Sequence, residues 1–174
     1  MSAGAVAIAD ALPPSATFRD AMSRLASSAV AVTVRDEAGR PRGMLATAVV
    51  SYSAAPPSVL VSVAHSARTH APLCKARRFG VHVLAREQAD VAEAMAGKLE
   101  DKFAALAWTW DDDVPQLAGA LAYLRCGCSA RFAHHDHSIV VGDVETALLS
   151  ERDPLVYFDR RLGWDLRRSA ERSR

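Results

Sequence analysis

The sequence predicts a mainly β protein with one domain, in which antiparallel strands form a closed or nearly closed barrel beside a few short helices. The chain has 174 residues and half of them are apolar, which suits a single domain with a sizeable core. Short strand patterns follow one another with turn residues between them. Long helices do not separate these strands and no G-x-G-x-x-G motif occurs, so a doubly wound dinucleotide-binding sheet is disfavoured.

The composition argues against several classes of partner. A net charge of +1 favours neither nucleic acid nor a membrane surface, and no apolar run approaches the roughly 20 residues that span a bilayer. The three cysteines lack C-x-x-C spacing, which indicates reduced thiols in a cytoplasmic protein. Residues 1–16 are expected to form a mobile arm rather than a secretory signal, because no Lys or Arg precedes Arg19. Residues 17–166 would form the domain and residues 167–174 a basic tail.

The first half of the chain predicts two helices and three strands. Residues 17–20 resemble a capping box and apolar residues then recur at helical spacing, so a helix is expected over 17–27. Strands are expected over 30–35, 43–53 and 59–64, with a hairpin turn at 36–39 and a stop at Pro56-Pro57. Thr69 is placed to cap a short helix towards Lys75.

The second half predicts one more helix and a long β-hairpin. A strand is expected over 79–84 and a helix over 87–95, whereas 108–119 reads as mostly irregular. Strict alternation over 121–132 predicts a strand with one buried face, on which Cys126 and Cys128 pack in the core. A turn at 134–137 leads to the partner strand 138–148, and 155–158 is a last short strand.

Seven segments of the chain occur in the order in which one known family carries them. They are FRDAM (18–22) with VAVTV (30–34), GMLATA (43–48) with SYS (51–53) and Pro56-Pro57, LVSVAHSART (60–69), FGVHVL (79–84), GKLEDKF (97–103), DH (136–137) with VVGDV (140–144), and PLVYF (154–158). Each motif is weak by itself. Together, in register from about residue 17 to 164, they resemble the flavin reductase-like domain family.

This resemblance implies a fold and an activity. The fold would be a Greek-key split β-barrel that binds FMN or FAD, reduces it with NADH or NADPH, and releases diffusible reduced flavin to a separate monooxygenase. A homodimer is implied as well, because family members complete the flavin site across the dimer interface. The lack of an obvious extra arginine cluster for a 2′-phosphate favours NADH.

The resemblance assigns the flavin ring to the end of the second strand. Ala46, Thr47, Ala48 and Val49 would line a flat slot, where small side chains let backbone N–H groups approach the ring edge and Thr47 adds a hydroxyl. Taken alone, the same residues read equally well as an ordinary buried strand.

By the same resemblance, Ala64 and His65 would contact the flavin, and the flavin phosphate would lie on the loop that follows them. Ser66, Arg68 and Thr69 form this loop in the family pattern, and Arg68 can hold a phosphate in a bidentate fork. Amides at the start of the helix after Thr69 would favour the same anion. Without the family context, the segment reads as a polar loop with a helix cap.

Four further residues are candidates for ligand contact. His137 stands where the family carries a histidine beside the flavin face, so it would position the nicotinamide or balance charge on reduced flavin, and its loss should slow the reaction rather than abolish it. Lys98 and Lys102 are candidates for the phosphate, in the same subunit or across a dimer, although isolated lysines are usually only solvated. Tyr157 is a weaker candidate, for which a core role is the alternative.

A metal site and two other functions are the alternatives. His134, His135 and His137 surround Asp136, and His135 and His137 would share a strand face, but a polar turn explains the cluster more simply and no metal is expected. Leu45, Val49, Ala55 and His82 stand where the family usually has Thr, Phe, Asp and Asn. The first two departures motivate a non-catalytic flavin carrier, and a pyridoxamine-phosphate-oxidase-like enzyme on a related barrel is the more distant alternative.

Overall fold

The computed structural model describes residues 14–166. The predicted arm (1–16) and basic tail (167–174) lie outside the described residues, apart from residues 14–16, which belong to the first helix. The elements are α1 (Pro14–Ser23), β1 (Ser27–Ser28), β2 (Val30–Arg35), β3 (Pro41–Ala46), β4 (Val49–Ala54), β5 (Pro57–Ala64), α2 (His70–Lys75), β6 (Arg78–Val83), α3 (Ala89–Ala96), β7 (Trp108–Asp111), β8 (Val114–Leu117), β9 (Ala122–His134), β10 (His137–Leu149), β11 (Val156–Phe158) and β12 (Arg161–Trp164).

Seven strands form one antiparallel sheet in the order β3-β2-β6-β9-β10-β5-β4. The consecutive strands β3 and β4 stand at its two opposite edges, joined only through Thr47 and Ala48. This connection brings the two edges of the sheet together, so the predicted barrel is confirmed and its split lies between β3 and β4. The single strand predicted over 43–53 is therefore wrong, because its halves pair with different neighbours, β2 and β5.

The hairpin of β2 and β3 forms where it is predicted. Strand β2 has the predicted bounds, Val30–Arg35, and its first five residues are all buried. In the turn, the Asp36 carboxylate accepts hydrogen bonds from the backbone N–H and side chain of Arg40. Gly39 has a φ of +78°, a conformation that glycine adopts without steric cost.

The helices begin and end differently from the predicted bounds. Helix α1 covers Pro14–Ser23 instead of 17–27, so Thr17 lies inside the helix and the proposed capping box is wrong. Proline is well suited to the first turn of a helix, which explains the earlier start. Helix α3 forms close to its predicted position, and Val91, Ala92 and Met95 are its buried residues.

The segment predicted as irregular over 108–119 is a β-hairpin of β7 and β8. Pro115 lies within β8 and obscured the strand pattern, although proline is tolerated where no ladder bond needs its nitrogen. The Thr33 hydroxyl of β2 donates a 2.6 Å hydrogen bond to the Pro115 carbonyl, and both residues are buried. Since Val32 and Val34 face the barrel core, the hairpin packs on the outer face of β2.

The long pair of β9 and β10 is confirmed, but its simple alternation of burial is wrong. Tyr123, predicted on the wetter face, is 3% exposed, whereas Phe132, predicted on the buried face, is 58% exposed. Tyr123 is buried because the β7–β8 hairpin lies against it, where its hydroxyl donates to Asp111 of β7. Phe132 is exposed because a register shift next to Ser129 interrupts the alternation before it. Cys126 is buried and Cys128 packs against the same core, as predicted.

Two apolar clusters form the core. One fills the barrel between its strands and includes Val32, Val61 and Phe79; the other lies beneath α3 and includes Leu84, Met95 and Phe103. The strands β1, β11 and β12 form a separate small sheet at the side of the second cluster. Within residues 14–166, no helix is long and apolar enough to cross a membrane.

Candidate functional site

A cavity of about 380 Å³ opens between strand β3, the loop after β5 and the end of helix α3. Met44, Leu45 and Met95 give it apolar walls, and Arg68, Lys98 and Lys102 are its cationic residues. Five predicted site residues meet here, on elements that are far apart in the chain: Ser66, Arg68, Thr69, Lys98 and Lys102.

Two larger cavities lack this combination. One, of about 510 Å³, lies between the β7–β8 hairpin and the ends of β9 and β10, and no Lys or Arg lines it. The other, of about 570 Å³, is lined by Arg77, Arg78 and Arg131, but the carboxylates of Asp143 and Glu145 stand among them and no broad apolar wall accompanies them. The smaller cavity at Arg68 is therefore the better match for a ligand with an apolar ring and an anionic group.

The loop 65–69 is fixed at both ends by hydrogen bonds. At its start, the backbone N–H of His65 donates to the Asp136 carbonyl over 2.8 Å. At its end, the buried Thr69 donates its hydroxyl to the Gly43 carbonyl over 3.1 Å. Thr69 occupies the N-cap position of α2, as predicted, but its side chain makes no cap hydrogen bond. Since α2 has only six residues, its N-terminus adds little to anion binding.

Arg68 reaches across to the loop after α3. Its guanidinium donates to a Glu100 carboxylate oxygen over 3.2 Å and to the Leu99 carbonyl over 2.7 Å. Glu100 also accepts a 3.1 Å hydrogen bond from Arg42. Two guanidinium groups therefore meet on one exposed carboxylate at the edge of the cavity, an arrangement that also suits a phosphate.

The two lysines have different environments. Lys98 is exposed at the rim. The Lys102 ammonium group donates to the carbonyl oxygens of Gly43 (3.1 Å) and Met95 (2.5 Å), and partial burial lowers its pKa. Lys102 thus ties strand β3 to the last turn of α3, and Lys98 is the lysine whose charge faces solvent.

The predicted ring slot lies at the split of the barrel. Leu45 lines the cavity, while Thr47 and Ala48 follow directly between the two sheet edges. Their backbone N–H groups lie outside the strand ladders, and the Ala48 carbonyl accepts from Ser62. Ala46 and Val49 pack against the barrel core. The four slot residues themselves do not line the cavity, but they directly follow Leu45, which does, and the apolar walls and cations of the cavity fit a flavin.

His137 begins strand β10, directly opposite Ala64 in the ladder. This pairing places His137 beside the start of loop 65–69. Its Nδ1 atom lies 2.8 Å from an Asp136 carboxylate oxygen, and that hydrogen bond is the main reason why the pKa of Asp136 is lowered. The imidazole is about half exposed, 47% by side-chain area, so a ligand can reach it.

Other sequence candidates lie apart from this cavity. Tyr157 belongs to the small sheet, where it pairs with Ser27, and it does not line the cavity. His135 has a φ of +50° and occupies the turn, so the prediction that it shares a strand face with His137 is wrong. Among residues 14–166, no three His, Cys, Asp or Glu side chains are arranged to hold a metal ion.

Several lining residues were missed in the sequence. Met44 and Met95 are apolar residues of the cavity wall, and Glu100 lies in a small adjoining pocket with Arg68; the sequence alone connects none of the three with a phosphate. Arg42 and Glu100 are 58 residues apart in the chain, so their ion pair has no local signal. The GKLEDKF motif at 97–103 was the available indication, since it marked the loop that carries Glu100.

Sequence comparisons connect this geometry with known enzymes. The profile of the family described as "Flavin reductase like domain" matches residues 22–164. The reductase component of a 4-nitrophenol 4-monooxygenase/4-nitrocatechol 2-monooxygenase from Rhodococcus opacus is 36% identical over 148 residues, which are 85% of this chain and 80% of that protein. An NADH:riboflavin 5′-phosphate oxidoreductase from Streptomyces pristinaespiralis is 40% identical over 128 residues, 72% of this chain and 73% of its own.

Solved structures show the same architecture. The NADH:FAD oxidoreductase of Streptomyces globisporus, in complex with NAD and FAD fragments, superposes with a TM-score of 0.82 at 29% identity, over 95% of this chain and 100% of that one. One curated relative, from Rhizobium meliloti, is longer: it is 35% identical over 128 residues, and the chain spans 41% of its length.

Proposed function

The chain belongs to the flavin reductase-like domain family, and on that premise we propose that it transfers a hydride from NADH or NADPH to FMN or FAD. The reduced flavin then leaves for a separate flavin-dependent monooxygenase. The observation that carries the proposal is the cavity in which apolar walls, three cations and residues 66–69 meet. Relatives that act on NADH and on FMN or FAD support it.

The bound cofactors supply the redox chemistry, a hydride passing from the nicotinamide to the flavin ring. The protein's part is to hold the two rings in contact. Arg68 and Lys98 would bind the flavin phosphate, and the backbone N–H groups of Thr47 and Ala48 would donate to the ring edge. His137 would hold the nicotinamide over the ring, since it stands beside Ala64 at the start of the same loop.

Product release and the relatives of the chain both bear on which flavin the protein reduces. A reductase that releases its product binds flavin only moderately. We propose that both FMN and FAD are accepted, because relatives named for each are similar over most of this chain. NADH is the proposed hydride donor, as in the names of those relatives. The three cysteines are free thiols, in keeping with a cytoplasmic site of action.

A homodimer is the proposed assembly, because one outer face of the sheet is apolar and exposed. Val50, Tyr52 and Phe132 are 56%, 65% and 58% exposed. Phe132 lies opposite Ile139 in the ladder, and Val50 lies opposite Leu60, so these side chains continue across β9, β10, β5 and β4. Monomers rarely expose such a contiguous patch, and a second copy would cover it next to the barrel split.

The proposal is tested by steady-state oxidation of NADH in air, with FMN or FAD added in catalytic amounts. Oxidation that requires added flavin, and that continues through many turnovers per flavin, is the expected result. NADPH in place of NADH then measures the preference for the nicotinamide. Flavin binding without oxidation of either nicotinamide would overturn the proposal and favour a flavin carrier.

A further inference from the structure

Ser138 is the buried residue that follows His137 in strand β10. It is 5% exposed and lies opposite Val63 in the ladder with β5. Since neighbouring residues of a strand point to opposite faces, its side chain points away from that of His137 and into the fold. The hydroxyl has two partners there, the Nε2 atoms of His65 at 3.1 Å and of His70 at 2.9 Å.

These contacts join the two ends of one loop to the hairpin. His65 opens the loop 65–69 and His70 is the first residue after it. The backbone N–H of His65 also donates to the Asp136 carbonyl. Three hydrogen bonds therefore connect the loop that carries Arg68 with the hairpin that carries His137.

We infer that Ser138 is a positioning residue, which holds the phosphate-binding loop in register with His137 through the paired imidazoles of His65 and His70. The inference rests on the proposed function, because it concerns how the two ligand-binding elements of that site are kept together. Ser138 itself is not placed in contact with a ligand.

The hydroxyl restricts the protonation of the two rings. A serine has one hydrogen to donate, so at least one of the two Nε2 atoms must carry a hydrogen and donate to Ser138. Two neutral rings satisfy this requirement. If both rings are protonated, two cations stand with ring centroids 4.8 Å apart around one hydroxyl, and their repulsion weakens the clamp.

The surroundings keep His70 neutral at ordinary pH. Burial, and then the charge of His65, lower the pKa of His70. Cys74, one turn along α2, lies 3.5 Å from its Nε2 atom. On the hairpin side, Asp136 accepts from the backbone N–H of His65 and lies beside His137, and the charged Arg131 donates to the Ala76 carbonyl at the end of α2. We therefore expect the clamp to hold at neutral pH and to weaken as the solution becomes acidic.

The experiment measures flavin binding directly, by quenching of flavin fluorescence, in parallel with KM and kcat for NADH oxidation. Ser138→Ala should weaken flavin binding about three- to tenfold, the effect of one or two lost hydrogen bonds, and change KM more than kcat. Ser150→Ala is the matched control: Ser150 follows β10 at its other end and donates to the carbonyls of Ala120 and Leu121. It should bind flavin like the wild type.

A second variant separates positioning from general stability. His70→Gln retains a hydrogen-bonding side chain that cannot be protonated. The variant should therefore bind flavin at neutral pH within about twofold of wild type. As the pH is lowered, it should lose less affinity for flavin than the wild type loses. Comparing the two proteins with the same flavin cancels the titration of the flavin phosphate itself.

The outcomes are distinct from those that test the proposed function. Flavin binding by Ser138→Ala equal to wild type at every pH, or identical acid-side losses for wild type and His70→Gln, would overturn the inference. If the wild type binds flavin but does not oxidise NADH, the proposed activity fails while the binding measurements still decide the role of Ser138.

Discussion

The imidazole of His82 accepts a hydrogen bond at Nε2 from the backbone N–H of Leu117, over 3.1 Å. Its Nδ1 atom lies 3.3 Å from the Ala31 carbonyl, so the Nδ1 atom carries the hydrogen and donates. The ring is fully buried and stacks on Tyr123. His82 thus connects β2, β6 and the β7–β8 hairpin, and it does so only as a neutral ring.

Stability should therefore fall in acid. Burial lowers the pKa of His82 in the folded protein from 6.5 to about 4. Above pH 6.5 the His82 ring is neutral in both the folded and the unfolded protein. Between pH 6.5 and about 4, the unfolded chain binds a proton at this ring and the folded chain does not. The free energy of unfolding should lose about 3 kcal/mol over that interval. Urea unfolding near pH 7.5 and near pH 4.5 measures the loss, which should be much smaller in His82→Asn; equal losses would contradict this assignment.

If Arg68 binds the flavin phosphate as proposed, Glu100 competes with that phosphate for the guanidinium. Glu100→Gln frees the guanidinium, and we expect flavin to bind about threefold more tightly, in proportion to the small free energy of an exposed ion pair. Arg68→Ala should weaken binding about tenfold or more, since a charged hydrogen bond to the phosphate is lost. Fluorescence titration with FMN measures both. Arg152→Ala, at an exposed arginine paired with Glu87, is the control; an equal loss in that variant would disprove a specific role for Arg68.

We expect alanine substitutions at the two lysines of the GKLEDKF segment to differ, with Lys102 affecting stability and Lys98 affecting flavin binding. Lys102→Ala removes the ammonium donor from the carbonyls of Met95 and Gly43, of which Gly43 keeps the Thr69 hydroxyl, and we expect a loss of about 2 kcal/mol in the free energy of unfolding. Lys98→Ala should leave stability within about 0.5 kcal/mol of wild type and weaken flavin binding. Thermal unfolding and flavin titration of both variants decide the assignment, and the reverse pattern would refute it.

The apolar outer face of the sheet should mediate self-association. Phe132→Glu introduces a charge into the proposed interface, so we expect the dimer to dissociate at concentrations where the wild type remains dimeric. Light scattering coupled to size-exclusion chromatography measures the mass. Leu149→Glu, at an 82% exposed position at the other end of the hairpin, is the control and should remain dimeric. A wild-type protein that is monomeric would refute the interface.

Local patterns predicted the parts of the fold that depend on neighbouring residues. Strand β2, its turn at Gly39 and the long β9–β10 pair follow from alternation and turn chemistry. The break at Thr47 and Ala48 could not be predicted this way, because both sides of it read as strand. Only the pairing of β3 with β2 and of β4 with β5, across the whole sheet, imposes it.

The candidate site likewise has residues that a local motif predicts and contacts that depend on residues far apart in the chain. The resemblance placed Ser66, Arg68, Thr69 and Lys98, which do line one cavity. It also offered Lys102 as a phosphate ligand, although its ammonium group is engaged by two carbonyls. That engagement, like the meeting of Arg42 and Arg68 on Glu100, depends on long-range contacts that no local pattern encodes.

Anaerobic reduction of free flavin by NADH, followed by loss of the oxidised flavin's visible absorbance, tests directly whether the protein reduces flavin and releases it. With FMN or FAD in large excess over the protein, we expect the whole flavin pool to be reduced and an equal amount of NADH to be consumed. Reduction that stops at one flavin per protein molecule, or that proceeds no faster than without protein, would contradict a reductase that releases reduced flavin.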